Sequence, residues 1–468
     1  MTRFHQVMQN VIIGKRKPEE LYNRIIVVSA YGGITDMLLD SKKTGEPGVF
    51  ARFAGGHQDW NAKLDSVRER MYVLNRSFAD IGLDLNKADA FVDERIEGVR
   101  TCLQDLMRVR SFGHLTPENY LPASREMVCA IGEAHSAFNS TLILQENGVN
   151  ARFVDLCGWK VAAILPLEEA IQAGMRAVDI GKELPIVTGF VKCNGGIMTQ
   201  FSRGYSEITF SKLAVLTGAR EGIIHKEYHL CTGDPVLIGP QKVRVIGQTN
   251  FDIADQMADL NMEAIHSRAS IEMAQQNVAI RVKNAFDPEH PGTVITNDYV
   301  SVEPKIEMIC GREDLVAVTV YDPEMVGQSG YDFALLKAFA DLDISYIAKS
   351  TNANTISHYV PEKTVRADRL EPAIKARFPT AQIKFDEVAI VSVLGSNTRA
   401  PHFFGDAAKA LSEANVQVLG MSQSMYGGNM QFVVARQDSA TAQLALHAAF
   451  VESSPSATMT NRIRAFVK

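Results

Sequence analysis

The segment NRIIVVSA at residues 23–30 is followed directly by YGGITD at residues 31–36. The first segment is a short run of branched apolar residues, which predicts a strand buried on both faces. The second places two glycines before the start of a helix. This order gathers backbone N–H groups at one point and suits an anion such as a phosphate. Because paired glycines also make ordinary tight turns, the phosphate interpretation depends on the rest of the chain.

Strands and helices alternate around this segment. Apolar residues recur at helical spacing from about residue 58 to 112, and another helix is predicted from the stretch PASRE at residues 122–126. Further buried strands are predicted at residues 149–155 and 185–191. The alternation predicts an α/β fold with a mostly parallel sheet covered by helices.

The C-terminal part of the chain repeats itself after 72 residues. VAV at residues 316–318 matches VAI at 388–390, and KAF at 337–339 matches KAL at 409–411. The same β-α-β-β-α order accompanies both copies, which predicts two small α+β modules. Linkers are predicted at residues 297–305 and near 381–384.

Composition excludes several classes of protein. The 468 residues are 46% hydrophobic and 22% charged, values that exclude a disordered, collagen-like or coiled-coil chain and suggest several domains. No apolar run is long enough to cross a membrane. A net charge of −6 does not favour a nucleic-acid partner. The six cysteines are scattered without CxxC spacing, which is typical of reduced thiols and predicts a cytoplasmic protein.

A second informative stretch is SRGYSE at residues 202–207. Arg203 offers a planar pair of donors for a carboxylate or a phosphate, and Gly204 allows a ligand to approach the backbone. Ser206 and the start of the following helix add further donors. Taken alone, such a stretch is more often just a capped helix than a ligand site.

Several motifs occur in a definite order along the chain. They are VSAYGGIT at residues 28–35, GE at 132–133, VTGF at 187–190, RGYSE at 203–207, GDP at 233–235, RVKNAF at 281–286 and PGTVI at 291–295. This ordered set resembles aspartate kinase, of the amino acid kinase fold with C-terminal ACT domains. The stretches 44–49, 132–140, 203–210 and 224–229 are most similar to the aspartokinases of ectoine synthesis.

The resemblance implies ATP-dependent phosphorylation of the β-carboxylate of L-aspartate to 4-phospho-L-aspartate, the first step of the aspartate pathway, with Mg²⁺ accompanying the nucleotide. It implies a kinase domain at residues 1–297 and ACT domains at 306–380 and 385–468. Arg203 would bind the α-carboxylate and Glu133 the ammonium group of aspartate. The implied aspartate pocket comprises Ser29, Thr35, Glu133, Phe190, Arg203 and Ser206. The implied ATP-binding residues are Gly32, Gly33, His225, Lys226 and Asp234.

The chain departs from the family pattern at its start. The family begins with a strand ending in Lys-x-Gly-Gly-Thr-Ser, whose lysine reaches the transferred phosphate. No such segment is present, and Met1–Phe4 resembles the residues that normally follow it. A start codon assigned too late and a real truncation both explain this, and the cost of losing a central strand favours the first. With a true start at Met1, we expect little or no kinase activity.

Two alternatives to an aspartate kinase remain at this point. One is a kinase for another acidic amino acid or a nucleotide. The other is a catalytically impaired, amino-acid-sensing ACT protein on a degenerate kinase domain. The loops at residues 325–330 and 396–401 are candidate effector sites, although the repeated modules could equally serve only to assemble a homo-oligomer. The spacing of His225, His229 and Cys231 does not favour a metal site.

Overall fold

The structure is a computed structural model that describes residues 3–14, 16–41, 44–113, 116–201, 204–260, 265–424 and 428–453. The chain forms two compact units. The first comprises Met1–Tyr228, Ile271–Val278 and Asn284–His290. The second comprises His229–Ser270, Ala279–Lys283 and Pro291–Lys468.

Helices and strands alternate up to about residue 300, as predicted. The helices are α1 (Phe4–Val7), α2 (Ile34–Leu38), α3 (Val49–Ala54), α4 (Trp60–Arg76), α5 (Leu85–Arg110), α6 (Pro117–Glu146), α7 (Leu167–Met175), α8 (Ile197–Gln200), α9 (Tyr205–Leu216), α10 (Pro235–Ile238), α11 (Phe251–Asp259) and α12 (Ser267–Gln275). The strands are β1 (Ile26–Val28), β2 (Ala151–Val154), β3 (Leu184–Thr188), β4 (Glu221–Lys226), β5 (Gln248–Asn250), β6 (Ala279–Asn284) and β7 (Thr293–Thr296).

A parallel sheet of order β1-β3-β2 lies in the first unit. Val27 pairs with Val187, and Phe153 pairs with Ile186. All five residues of β3 are buried, as expected for a central strand covered on both faces. The sheet confirms the predicted parallel arrangement, although β1 is shorter than the predicted strand at residues 23–30.

Long helices pack against this sheet. Asp84 caps α5 by accepting a hydrogen bond from the backbone of Lys87, and α6 begins with Pro117 after a capping box between Thr116 and Asn119. Their apolar residues form a core that is entirely shielded from solvent, which includes Leu64, Val67, Met71, Ile96, Val99, Leu103, Val128 and Ile143. This packing holds α6 firmly behind the ends of β1 and β3.

In the second unit, β7 pairs in parallel with β5 and antiparallel with β6. The C-terminal elements are β8 (Met308–Tyr321), α13 (Tyr331–Ala340), β9 (Ala348–Thr351), β10 (Thr355–Pro361), α14 (Ala367–Arg377), β11 (Gln382–Leu394), α15 (His402–Glu413), β12 (Val418–Gln423), β13 (Asn429–Ala435) and α16 (Ser439–His447). Their antiparallel sheet has the order β12-β13-β11-β8-β10-β9. The predicted repeat is confirmed, because β8 to α14 and β11 to α16 follow the same β-α-β-β-α order.

Two strands are shared by the repeated modules. β8 and β11 pair from Tyr321↔Gln382 to Met308↔Leu394, with an irregularity between Val388 and Ile390. The β8 residue Val318 lies in the core beneath α13 and α14, whereas Ile309 of the same strand lies in the core beneath α15 and α16. The prediction of a linker near residues 381–384 is therefore wrong, since β11 begins at Gln382.

No helix of the described residues is long and apolar enough to span a membrane. All six cysteines are free thiols, and only Cys102 is exposed.

Candidate active site

The carboxyl ends of β1 and β3 lie side by side, because the two strands are parallel neighbours. The backbone N–H of Gly189 donates to the carbonyl of Val28 at 3.0 Å, which extends the pairing just beyond β3. The chain leaves β1 through Ser29 and turns at Gly33, whose φ of 83° is accessible mainly to glycine. Crevices at such strand ends are the usual ligand sites of α/β sheets.

Glu133 extends from the middle of α6 to the Gly189 segment that follows β3. Its side chain is only 3% exposed, and the Ser206 hydroxyl donates to its Oε1 atom at 2.7 Å. Within the described part of the chain, its Oε2 atom is buried without a hydrogen-bond partner. A buried carboxylate oxygen with no partner is costly, so it marks a position where a ligand donor would be stabilised.

Gly189 makes room for this pair of side chains. A Cβ atom at Gly189 would lie 2.7 Å from Glu133 Oε2 and 2.6 Å from Ser206 Cβ. The Thr209 hydroxyl fixes the same segment by donating to the Gly189 carbonyl at 2.5 Å. The residue after β3 must therefore be glycine for α6 and α9 to approach each other here.

Burial controls the protonation of Glu133. Desolvation raises the pKa of its carboxyl to about 8, although the Ser206 hydroxyl and the nearby backbone of Phe190, which makes no hydrogen bond to Oε2, partly oppose the shift. The group is therefore mostly neutral near neutral pH when no cation faces it. A bound ammonium group would favour the charged form and lower the pKa again.

The turn after β1 is held against α6. Ser136 donates its hydroxyl to the carbonyl of Ser29 at 2.8 Å, and the backbone at Gly132 lies close to Ala30 and Ile34. Ser29 and the two glycines of the turn are exposed, Thr35 is half-buried and Phe190 is buried. Five predicted pocket or turn positions (Ser29, Gly33, Glu133, Phe190 and Ser206) thus belong to one region of the first unit.

Sequence reasoning missed Ser136, Thr209 and Cys129, which support this region. Ser136 follows Glu133 by three residues, and Cys129 precedes it by four. Helical periodicity alone could therefore have placed all three on the same face of α6. Thr209 lies four residues after Tyr205, and its hydroxyl oxygen lies 3.1 Å from the Tyr205 carbonyl.

The predicted ATP-binding residues belong to both units. Lys226, at the end of β4, places its Nζ atom 3.7 Å from a carboxylate oxygen of Glu207 in the first turn of α9. His225 precedes it on β4 and is exposed. Asp234, in the second unit, caps α10 by accepting from the backbone of Val236 at 2.8 Å. Arg203 lies outside the described residues.

No group of three or more His, Cys, Asp or Glu side chains that could hold a metal occurs among the described residues. Cys231 instead donates its thiol to the carbonyl of His229 at 3.3 Å. Mg²⁺ bound to a nucleotide takes several of its ligands from phosphates and water, and therefore needs few protein ligands.

Comparison with known proteins identifies the family. Residues 11–284 match the model of the amino acid kinase family. The chain is also 42% identical, over 97% of its length, to the aspartate kinase Ask_Ect of Stutzerimonas stutzeri, and the match covers 95% of that protein. This chain belongs to the aspartate kinases of the amino acid kinase family.

More distant aspartate kinases agree with this assignment. The chloroplastic aspartokinase 2 of Arabidopsis thaliana is 23% identical over 92% of this chain and 79% of its own length. The structure of E. coli aspartokinase III with aspartate and ADP has a TM-score of 0.67 at 19% identity and covers 91% of this chain and 92% of its own. The Clostridium acetobutylicum aspartate kinase has a TM-score of 0.70 at 16% identity, with 96% of each chain covered. Both structures share the fold of this chain.

The predicted family, fold class and kinase activity are thereby confirmed, and ATP use follows from the family. The comparisons give no support to a non-catalytic sensor. The roles of the individual site residues remain predictions.

Proposed function

We propose that this aspartate kinase transfers the γ-phosphoryl group of ATP to the β-carboxylate of L-aspartate, forming 4-phospho-L-aspartate and ADP. The observation that carries the proposal is the buried Glu133 carboxyl, whose Oε2 atom lacks a partner in the described structure beside Ser206 at the ends of β1 and β3. This site suits the ammonium group of a small molecule that also carries negatively charged groups.

Aspartate would bind with its ammonium group towards Glu133. The Ser206 hydroxyl holds one carboxylate oxygen and leaves the other for the ammonium group. By the family resemblance, Arg203 would bind the α-carboxylate. Ser29 and Thr35 would then face the β-carboxylate from the turn after β1, and Phe190 would form an apolar wall.

The reaction needs little acid or base catalysis. A β-carboxylate oxygen is already ionised and attacks the γ-phosphorus, while the bond from that phosphorus to the β,γ-bridging oxygen breaks and ADP leaves with the electron pair. Catalysis then depends on positioning and on charge neutralisation. Backbone N–H groups at Gly32 and Gly33 would face the phosphates, and Lys226 would supply a cation. Bound Mg²⁺ would neutralise phosphate charge.

Further parts of the proposal concern organisation and pathway. A kinase domain at residues 1–297 and ACT domains at 306–380 and 385–468 would assemble as a cytoplasmic homo-oligomer. The loops at 325–330 and 396–401 would bind an amino-acid effector. The product would serve ectoine synthesis, which the 42% identity to Ask_Ect supports together with the matching stretches noted above.

A substrate panel tests the function. On the native polypeptide, whose N-terminus is first sequenced, ADP release is measured with ATP, Mg²⁺ and either L-aspartate, L-glutamate or no amino acid, and we expect release with aspartate only. Phosphorylation of glutamate but not aspartate would refute the assignment. Glu133→Gln and Arg203→Ala should each lower kcat/KM for aspartate at least about tenfold, because each leaves a charged substrate group unpaired.

Matched controls are available on the exposed side of α4. Glu69 and Arg70 are both exposed, so Glu69→Gln and Arg70→Ala repeat the same chemical changes away from the crevice. Normal aspartate kinetics in Arg203→Ala would place the pocket elsewhere.

A further inference from the structure

Two consecutive residues at the start of α9 contact two residues one helical turn apart on α6. Ser206 bonds Glu133 at 2.7 Å, and the Tyr205 hydroxyl lies 3.2 Å from the Cys129 sulfur. Since residues four apart on a helix share a face, the two contacts run side by side. The proposed reaction uses the first contact and leaves the second without a role.

The Tyr205 ring also contacts the segment after β3. It meets the Phe190 ring edge-to-face, with centroids 5.6 Å apart and planes at 72°. Aromatic pairs in this geometry attract each other beyond their burial of area. Tyr205 therefore joins three parts of the crevice: the first turn of α9, the middle of α6 and the Gly189–Phe190 segment.

The backbone around Tyr205 is built to hold this position. Gly204 lies directly before α9 and has a φ of 71°, which is accessible mainly to glycine. The Thr209 hydroxyl contacts the carbonyls of both Tyr205 and Gly189. The side chain of residue 205 is thus directed from the helix start onto α6.

We infer that Tyr205 is a positioning residue for the amino-acid half of the reaction, which clamps the first turn of α9 to α6 and thereby sets the distance between Ser206 and Glu133. The inference rests on the proposed function, because it assigns Glu133 and Ser206 to the amino-acid substrate. Without the clamp, the first turn of α9 keeps the Ser206 and Thr209 bonds but loses its aromatic and sulfur contacts.

The clamp should be insensitive to pH. Burial raises the pKa of the Cys129 thiol to about 12, and burial, followed by the neighbouring Cys129 and Glu133, raises the pKa of Tyr205 well above its usual value. Both partners therefore stay neutral through the range in which Glu133 titrates. Loss of the clamp should change the affinity for aspartate by a similar factor at every pH where the enzyme is active.

The test is a double-mutant cycle with Tyr205→Phe and Cys129→Ala, read as KM and kcat for aspartate and for ATP. Each single variant removes the hydroxyl–sulfur contact, so each should raise KM for aspartate about two- to tenfold, the factor that one hydrogen bond contributes. The double variant should resemble the single variants, because both remove the same contact. The KM for ATP should stay within about twofold.

Tyr205→Gly removes the ring as well and should raise KM for aspartate further than Tyr205→Phe does. Tyr72→Phe is the matched control, because it removes a tyrosine hydroxyl that bonds Asp93 between α4 and α5, away from the crevice. This control should leave KM for aspartate unchanged.

The outcomes separate the two proposals. A wild-type enzyme that has its native N-terminus and does not phosphorylate aspartate refutes the proposed function and this inference with it. An active wild-type enzyme whose Tyr205→Phe and Tyr205→Gly variants keep the normal KM for aspartate overturns this inference alone. Independent, multiplicative effects of Tyr205→Phe and Cys129→Ala would also overturn it.

Discussion

Thr232 and His447 are 215 residues apart in sequence, yet the Thr232 hydroxyl lies 3.0 Å from Nε2 of His447. His447 ends α16 and is completely buried, and its Nδ1 atom lies 3.3 Å from Glu452. Thr232 also accepts a hydrogen bond from the backbone of Arg244. The last helix of the second repeated module thus holds the segment that contains Gly233 and Asp234.

His447→Ala should destabilise the second unit, because it removes a buried hydrogen-bond partner and leaves a cavity. We expect the free energy of unfolding to fall by about 1–3 kcal/mol in chemical denaturation. If the 225–234 stretch contacts ATP, KM for ATP should also rise more than KM for aspartate. His402→Ala, at an exposed histidine of α15, is the control. Equal stability of the two variants would contradict the role of the Thr232–His447 contact.

Aspartate binding should release a proton. The raised pKa of Glu133, about 8, means that the free enzyme carries a neutral carboxyl near neutral pH. A bound ammonium group stabilises the charged form, so affinity for aspartate should increase as the pH rises from about 6 to 8. Calorimetry in buffers of different ionisation enthalpy would count the protons released.

Glu133→Gln is the control for this linkage, because an amide does not titrate. Its weaker aspartate binding should be independent of pH over the same range. A wild-type affinity that is flat with pH would show that Glu133 is already charged in the free enzyme and would contradict this prediction.

Gly189→Ala should abolish most aspartate use without unfolding the protein. The added methyl would collide with the Glu133 and Ser206 side chains, so the pair must separate and kcat/KM for aspartate should fall at least about tenfold. Gly405→Ala, where a Cβ atom would meet nothing within 4 Å, is the control. Normal kinetics in Gly189→Ala would mean that the Ser206–Glu133 distance is unimportant.

Acid should weaken the first repeated module through His358. Burial lowers the pKa of His358 to about 4, although Asp332 partly opposes the shift. The unfolded chain therefore binds a proton more readily than the folded one, and the stability present above about pH 6.5 is lost as the pH falls towards 4.

His358→Leu removes the titrating group from its position between the rings of Phe339 and Tyr346. The difference in melting temperature between this variant and wild type should therefore shift in favour of the variant as the pH falls from about 7 to 5. Parallel melting curves for the two proteins across this range would contradict the assignment.

The two modules should not fold separately at the boundary suggested by the repeat. A fragment of residues 306–380 lacks the β11 residues that pair with the second half of β8. We expect it to remain unfolded in circular dichroism and thermal melts, whereas a fragment of residues 306–453 should contain the complete sheet. Cooperative melting of the shorter fragment would show that β11 is dispensable for the first module.

Local sequence patterns predicted much of the fold. The strand and glycine turn at residues 23–36 and the 72-residue repeat were recognisable because periodicity and turn chemistry act over short distances. The sharing of β8 and β11 was not, because strand pairing over such separations leaves no local signal. Because this pairing was not recognisable, residues 381–384 were predicted to be a linker.

The site shows the same division. The glutamate at residue 133 is visible in the sequence. Its burial and its hydrogen bond to Ser206 depend on the approach of α6, α9 and the segment after β3. The need for glycine at residue 189 becomes clear only when α6 and α9 are seen to approach over it. Arg203, the most specific sequence prediction, lies outside the described residues and is left to the mutational test.

The continuity of β8 and β11 has an evolutionary and mechanical consequence. Two unbroken backbones run through both repeats, so a recombination event between the copies would sever the hydrogen-bonded partners of each. We therefore expect that neither copy can be exchanged or lost alone without loss of sheet pairing, and that a twist imposed on one is passed along these strands to the other. The two repeated modules should therefore be inherited as one unit and should respond to mechanical force as one unit.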